Sequence, residues 1–422
     1  MHVAVRRLCV MASGLIACCG LISAQAGDWP QWRGPDRNAH SAETGLLREW
    51  PADGPKLVYK VHGLGGGYST PSVVGDRIYL LNDEGLENEY VRCLNAADGS
   101  TIWSVRIGIV GAPKQSPSYP GARSTPTVVG DVLYAFGSDG DLACLETASG
   151  AIRWQKNVRT EFGGKYGVWA YSESPLVDGD TVVVTPGGAD ATMVALHAAT
   201  GDVKWKCPVP GGNDAAYASI VIADVGGTKQ YIQFLQKGVG VVGVDAATGK
   251  FLWNYPKTGD GPANIPTPVI GGDLVYSASG RGSAGVIKVA SSGGAFKPEE
   301  LYNGRDLPKA IGGTVLVGDY LYGTMTDGLM CVEFKTGKVV WKDRSIGAAS
   351  ILEADGLLFL HGENGQVALV EATADGYHEK GRFTPPETPF EARKTTWTYP
   401  VLADGKLYLH DFGTLWCYEV RE

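Results

Sequence analysis

Five times along the chain a glycine is followed four residues later by a tryptophan: Gly99 and Trp103, Gly150 and Trp154, Gly201 and Trp205, Gly249 and Trp253, Gly337 and Trp341. The fullest copy, Leu196-His-Ala-Ala-Thr-Gly-Asp-Val-Lys-Trp205, reads as a short strand, a Thr-Gly turn and a second strand that carries the indole. Each copy is preceded by an apolar run, a Gly-Asp turn and another apolar run, as in Thr70-Pro-Ser-Val-Val-Gly-Asp-Arg-Ile-Tyr79 and Thr125-Pro-Thr-Val-Val-Gly-Asp-Val-Leu-Tyr134. One period is therefore four strands, and successive tryptophans lie about 44 to 51 positions apart, counting the gap between Trp253 and Trp341 as two periods. That spacing predicts the blades of a β-propeller.

Blades one to four run from Ser69 to Trp103, Ser124 to Trp154, Ser174 to Trp205 and Ser219 to Trp253. Blade five begins at Thr267 and lacks the tryptophan, offering Phe296 and Tyr302 in its place. Blade six, Gly313 to Trp341, restores the pattern, and blade seven, Ser350 to about Phe383, keeps an Asp355-Gly356 turn but again lacks the indole. Blade eight supplies Tyr399 to Tyr408 and Thr414 to Val420, and there the chain stops one strand short. Near the start, Lys56 to His62 reads as a strand with no hairpin partner, and the stretch from Leu57 to Val61 is predicted to be the missing outer strand. Pairing the two closes the ring and removes an exposed sheet edge. The expected fold is an all-β, eight-bladed propeller of four-stranded antiparallel blades over residues 57–422, after an irregular arm at 27–56 packed by Trp29, Trp32 and Trp50.

The fixed Gly to Trp offset has a physical reading. Glycine allows the positive φ of a tight turn, and the indole projects from the outer strand to cover a neighbouring blade where a side chain would collide. Cys93, Cys144 and Cys331 each lie ten residues before their blade's tryptophan, the slot that Ala195 takes in another copy, so they are expected to be small buried residues on third strands. Equivalent positions in separate blades are too far apart for disulfides, and no C-x-x-C pair marks a metal site. His361 and His410 occupy matching positions in blades seven and eight, which suggests a structural slot.

The first residues, Met1-His-Val-Ala-Val-Arg-Arg7, precede an apolar run from Leu8 to Ile22 and then Ala24-Gln-Ala26, the order of a secretory signal over residues 1–26. A lipobox reading of Leu15-Ile-Ala-Cys18 stands beside it and would tether the chain through acylated Cys18. Either way the protein is expected to be exported to a periplasm or beyond, with no transmembrane segment in the mature chain. A net charge of −8 and the lack of a Lys/Arg run disfavour nucleic acid and anionic membranes as partners.

Repeats of the form Ala-x-x-Thr-Gly-x-x-x-Trp, preceded by Thr-Pro-x-Val-x-Gly-Asp, resemble those of the pyrroloquinoline-quinone (PQQ) propeller superfamily from about residue 57 to the C-terminus. The opening Trp29-Pro-Gln-Trp-Arg-Gly-Pro35 is similar to that group's first segment. The resemblance implies an eight-bladed ring and two functional classes. Some members are quinoprotein alcohol dehydrogenases holding PQQ and Ca²⁺ in the funnel. Others are non-catalytic scaffolds, such as the propeller lipoprotein of the outer-membrane barrel-assembly machinery. For the dehydrogenase class the resemblance implies a vicinal Cys-Cys disulfide over the cofactor, whereas the only adjacent pair in this sequence, Cys18-Cys19, lies in the expected signal.

A ligand is expected at the central funnel, where loops leading into the innermost strands converge. These loops are long, polar and aromatic: Tyr119 to Arg123, Tyr166 to Glu173, Asn213 to Tyr217, Asn264, Arg305 to Lys309, and Arg393 to Trp397. In the enzyme reading, Glu173, Asn264 and Asp306 give oxygen ligands to a hard cation and Asp306 or Lys309 stands beside a quinone. Arg123, Trp169, Tyr217 and Trp397 then hold the cofactor, Trp169 or Trp397 by stacking. In the other reading the same groups solvate a funnel mouth and satisfy one another. Gly280-Arg-Gly-Ser-Ala-Gly285 lies between strands of a blade, so it reads as a hairpin turn rather than a phosphate loop. The leading expectation is a non-catalytic, monomeric scaffold of the cell envelope that binds a protein or polymer through its funnel rim. A PQQ- and Ca²⁺-dependent alcohol or sugar dehydrogenase is the alternative.

Overall fold

The computed structural model describes residues 27–115, 120–261, 263–387 and 395–422. The expected signal at 1–26 with Cys18, and the loop residues Tyr119, Arg393 and Lys394, lie outside the described residues. Eight antiparallel sheets follow one another around a ring, and the described residues hold one short helix, Val158–Phe162. Blade one shows the plan: Ser72–Val74 innermost, then Arg77–Asp83, Glu89–Asn95 and Thr101–Gly108 outermost. Blade eight takes its outer strand from the other end of the chain. Lys56–Val61 runs antiparallel to Thr414–Glu419, with Leu57 opposite Tyr418 and Tyr59 opposite Cys417. The orphan strand closes the ring as the outer strand of blade eight, as expected.

The repeated glycines and tryptophans meet across blades. A β-carbon added at Gly249, where φ is +72°, would lie 2.5 Å from the Trp205 ring of the preceding blade, and Trp205 Nε1 donates to Ala246 O at 3.2 Å. Trp103 covers Gly150 and Trp154 covers Gly201 in the same way, each indole donating to a carbonyl of the neighbour's turn. Within each blade the residue opposite the indole is small: Cys93 faces Trp103, Cys144 faces Trp154, Ala195 faces Trp205 and Cys331 faces Trp341. The ten-residue offset is thus a cross-strand pair in which a small side chain leaves room for a large one.

Three features depart from the simple repeat. In blade five Tyr302, not Phe296, takes the indole's part, its ring over Gly337 and its hydroxyl donating to Phe334 O at 2.8 Å. Tyr59 on the closing strand does the same over Gly99, donating to Ala96 O at 2.9 Å. Trp253 is a correction: its Nε1 turns into its own blade and donates to Gln230 Oε1 at 2.8 Å, and the Gly293-Gly294 turn of blade five has no ring over it.

All five described cysteines are free and buried, and burial pushes the thiols of Cys93, Cys144, Cys207 and Cys417 up to about 11. A thiol that stays protonated and covered is a poor nucleophile. Maleimide labelling of the native protein, mapped by mass spectrometry, is expected to leave these cysteines unmodified and to label them after denaturation; rapid native labelling would contradict this packing.

Candidate functional site

The arm before the closing strand lies along the axis of the ring and bonds to the inner part of every blade. Trp29 forms a two-bond bridge with Val73 of blade one, and Val128 of blade two donates to Pro30 O. Arg37 donates to Ser174 O and Pro175 O of blade three and to Ile220 O beside blade four, at 2.8 to 3.1 Å. Trp32 Nε1 donates to Thr267 Oγ1 of blade five at 3.0 Å, and Arg33 donates to Thr314 O of blade six. His40–Ser41 pairs in parallel with Glu353 and Ala354 as a fifth, innermost strand of blade seven, and Glu43 accepts from Gly405 N of blade eight. The arm expected as an irregular segment against the body is therefore partly a strand and fills the channel. Its turns place Arg33, Arg37 and Ala39 at positive φ, near +60°. The many backbone bonds around it hold that uncommon geometry.

Over this plug sits a cup of about 290 Å³. Trp32 takes part in its lining and meets Tyr399 edge-on with ring centroids 4.5 Å apart. The walls come from the segments that lead into the inner strands. Tyr68 and Trp397 pack 4.9 Å apart where blades eight and one meet, and Trp169 and Tyr217 pack 5.5 Å apart between blades three and four. Arg123 of blade two lies over the Tyr68 ring at 4.8 Å and donates to Gln115 Oε1 at 2.5 Å. Burial lowers its guanidinium to about 10, which leaves it charged at neutral pH. Facing it, Ala263, Ile265 and Pro266 before blade five and Ile311 before blade six make an aliphatic wall, with Arg281 at the lip.

The structure thus brings Arg123, Trp169, Tyr217 and Trp397 to one cavity and places the expected cation ligands elsewhere. Glu173 is buried between blades three and four, where it accepts from Thr185 N at 3.1 Å and Gln233 Nε2 at 3.0 Å. Asn264 donates to Leu235 O at 2.8 Å and accepts from Asp260 N at 3.1 Å. Asp306 is exposed in the loop before blade six, and Lys309 in that loop donates to Gly282 O at 2.9 Å; neither lines the cup. Gly280 to Gly285 forms part of the hairpin between the second and third strands of blade five.

No carboxylate lines the cup among the described residues, and none of their His, Cys, Asp and Glu side chains form a group of three able to hold a metal. The donor set therefore does not fit a calcium-bound quinone: the cup offers ring faces and guanidinium groups, while Glu173 and Asn264 are turned into the protein and Asp306 is exposed away from the cup.

A second buried acid escaped the sequence reading. Glu89 is fully buried and accepts from Ser138 N at 2.9 Å and Ser138 Oγ at 2.7 Å, tying blade one to blade two as Glu173 ties three to four. The strand's period of two had placed it in phase with buried Val91 and Cys93. Burial raises both carboxyls to about 8. His361 and His410 do share a structural slot, each reaching the next blade: His410 Nδ1 lies 2.7 Å from Ser69 O and His361 is bonded by the Thr398 backbone. Burial lowers both to about 4.

These shifts predict the pH dependence of stability. The folded state holds extra protons on Glu89 and Glu173 between the ordinary 4.5 and about 8, so each acid takes away up to about 1.4 kcal/mol per pH unit as pH rises through that window. The unfolded state holds extra protons on the two histidines between about 4 and 6.5, which gives the opposite slope there. Melting temperature is expected to change little from pH 4.5 to 6.5, to fall from 6.5 to 8 and then to level off. Glu89→Gln with Glu173→Gln should flatten that fall; an unaltered fall in the double variant would contradict the assignment.

An eight-bladed ring of these repeats defines a propeller of the PQQ-like class. Residues 87–343 match the family described as outer membrane protein assembly factor BamB, and the chain belongs to that family. BamB of Burkholderia pseudomallei is 27% identical over 353 residues, covering 72% of this chain and 84% of the relative. BamB of Alteromonas naphthalenivorans is 26% identical over 266 residues, or 56% of this chain and 58% of that one. Among solved structures, BamB from Moraxella catarrhalis aligns with a TM-score of 0.61 at 14% identity, covering 86% of this chain and 99% of that one. A quinohemoprotein alcohol dehydrogenase from Comamonas testosteroni gives 0.67 at 15% identity, covering 94% and 81%. At these identities the structural likenesses concern the fold alone. No helix of the described residues is long and apolar enough to cross a membrane.

Proposed function

We propose that this chain is an exported envelope scaffold, a monomeric ring that serves outer-membrane protein assembly by binding a protein or polymer through its funnel rim. The family match over residues 87–343 carries this reading. A cup that is aromatic and, among the described residues, free of carboxylates supports it over a calcium quinoprotein, whose chemistry needs oxygen ligands beside the cofactor. Cells lacking the chain should hold less β-barrel protein in their outer membrane, with restoration by the intact gene. Unchanged barrel levels, together with a PQQ-dependent dye reduction by the purified protein, would instead favour the oxidoreductase.

Export belongs to the same proposal. Residues 1–26 act as the signal and the mature protein begins at Gly27. Mass spectrometry of the exported chain tests this directly: an N-terminus at Gly27 agrees, and a diacylated Cys18 assigns the lipoprotein route instead.

A further inference from the structure

The cup has a chemistry that narrows what the funnel can bind. It is blind, because the arm fills the channel beneath it and Trp32 is pinned to Thr267. Its volume of about 290 Å³ sits at the low end for ligand pockets, which begin near ~300 Å³. That is room for one or two rings, not for a folded segment. Indole and phenol side chains make up the largest share of the wall, and such rings bind planar groups by offset or edge-on contact. Charge in the cup is of one sign: Arg123 stands on the blade-two wall and Arg281 in the blade-five hairpin at the lip, aliphatic side chains stand opposite Arg123, and no Asp, Glu, Asn or Gln side chain lines the cup among the described residues. A sugar needs many directed polar partners and finds few here. A ring bearing one acidic group finds both of the things that it needs. A guanidinium held by Gln115 and stacked on Tyr68 is already oriented, so little ordering entropy remains to be lost on meeting a planar carboxylate.

We propose that the cup binds an aromatic carboxylate, with its ring against the Trp169 and Trp397 walls and its acid group on Arg123. The proposal rests on the binding reading above and names the chemistry recognised. Two sources share that chemistry: a free aromatic acid, and the last residue of a chain that ends in an aromatic side chain with a free carboxylate.

Calorimetric titration of the purified protein with N-acetylphenylalanine and with its amide tests the proposal. The acid should bind about tenfold or more tightly than the amide, the difference that one charge-assisted contact makes. Arg123→Gln should abolish the preference, and Trp397→Ala should weaken both compounds, each variant keeping the wild-type circular dichroism. Equal affinity for acid and amide, or no heat from either, would overturn the site. A decapeptide ending in Phe with a free carboxylate, run against its amidated form, separates the sources. Acid-selective peptide binding assigns a chain end, and binding of the small acid alone assigns a free ligand. Should neither bind while barrel levels still depend on the protein, the cup proposal falls and the scaffold reading stands.

Discussion

Arg37→Ala is expected to remove about 3 kcal/mol or more from the stability of the whole ring, although the residue lies in a segment outside the repeats. Its guanidinium is 3% exposed and gives four hydrogen bonds, to Gln31 Oε1 and to the carbonyls of Ser174, Pro175 and Ile220. Alanine leaves the carbonyls of Ser174 and Ile220 in the channel without this donor, whereas Pro175 O keeps its bond from Thr127 Oγ1 at 2.6 Å, and a buried acceptor that loses its partner costs more than the bond itself contributed. Arg37→Lys should recover little, because one ammonium cannot span acceptors on two blades in the way that the planar fork does. The charge is also part of a buried balance. Glu173 lies close enough for Arg37 to draw its carboxyl downward against the larger upward push of burial. Urea unfolding of both variants against wild type checks the prediction, and an unshifted midpoint in Arg37→Ala would mean that the arm does not reach the channel.

Trp205→Ala is the second large effect, about 3 to 5 kcal/mol by the usual range for a truncated aromatic, and toward the lower end because the indole is only half-buried. The loss has two parts: the ring's cover over Gly249 and its bond to Ala246 O. Gly249→Ala attacks the same joint from the other side. The added carbon collides with the ring and must also hold φ near +72°, so the glycine variant should approach the tryptophan variant in cost, and the double variant should cost clearly less than their sum. Strict additivity in a thermal or denaturant series would show that the two residues do not touch.

The ring was legible because its rules are local. A glycine, an indole four residues on and a small residue ten before it recur within single blades, so the blades could be counted and the orphan strand at Lys56–Val61 assigned to the outer edge of blade eight. The replacements were harder to read. Tyr302 and Tyr59 fill docking sites without the signature, since a phenol can cover the same turn with a different spacing. The arm was read only as something packed against the body. Its partners are one or two groups from each of eight blades, one of them 362 residues away, and no short window of sequence contains such a set. The funnel was legible as a collection of loops but not as a list of inward-facing side chains. Aromatic residues at loop ends, Trp169 and Trp397 among them, do reach the cup, whereas Glu173 and Asn264 find donors and acceptors inside the protein before they can face it. Burial of a polar side chain is affordable once such partners exist, and their presence depends on the neighbouring blade, not on the loop.

Hydrogen exchange along residues 27–50 tests the central claim most directly. The amides of Trp29 and Ala39, together with the blade amides of Val73, Val128 and Glu353 that bond to the arm, are hydrogen-bonded inside the channel. They are expected to exchange as slowly as the inner strands, opening only when the ring itself opens. Exchange of the Trp29 and Ala39 amides at the rate of a free peptide, with the blades still protected, would show that the arm lies outside the channel and that the cup has no floor.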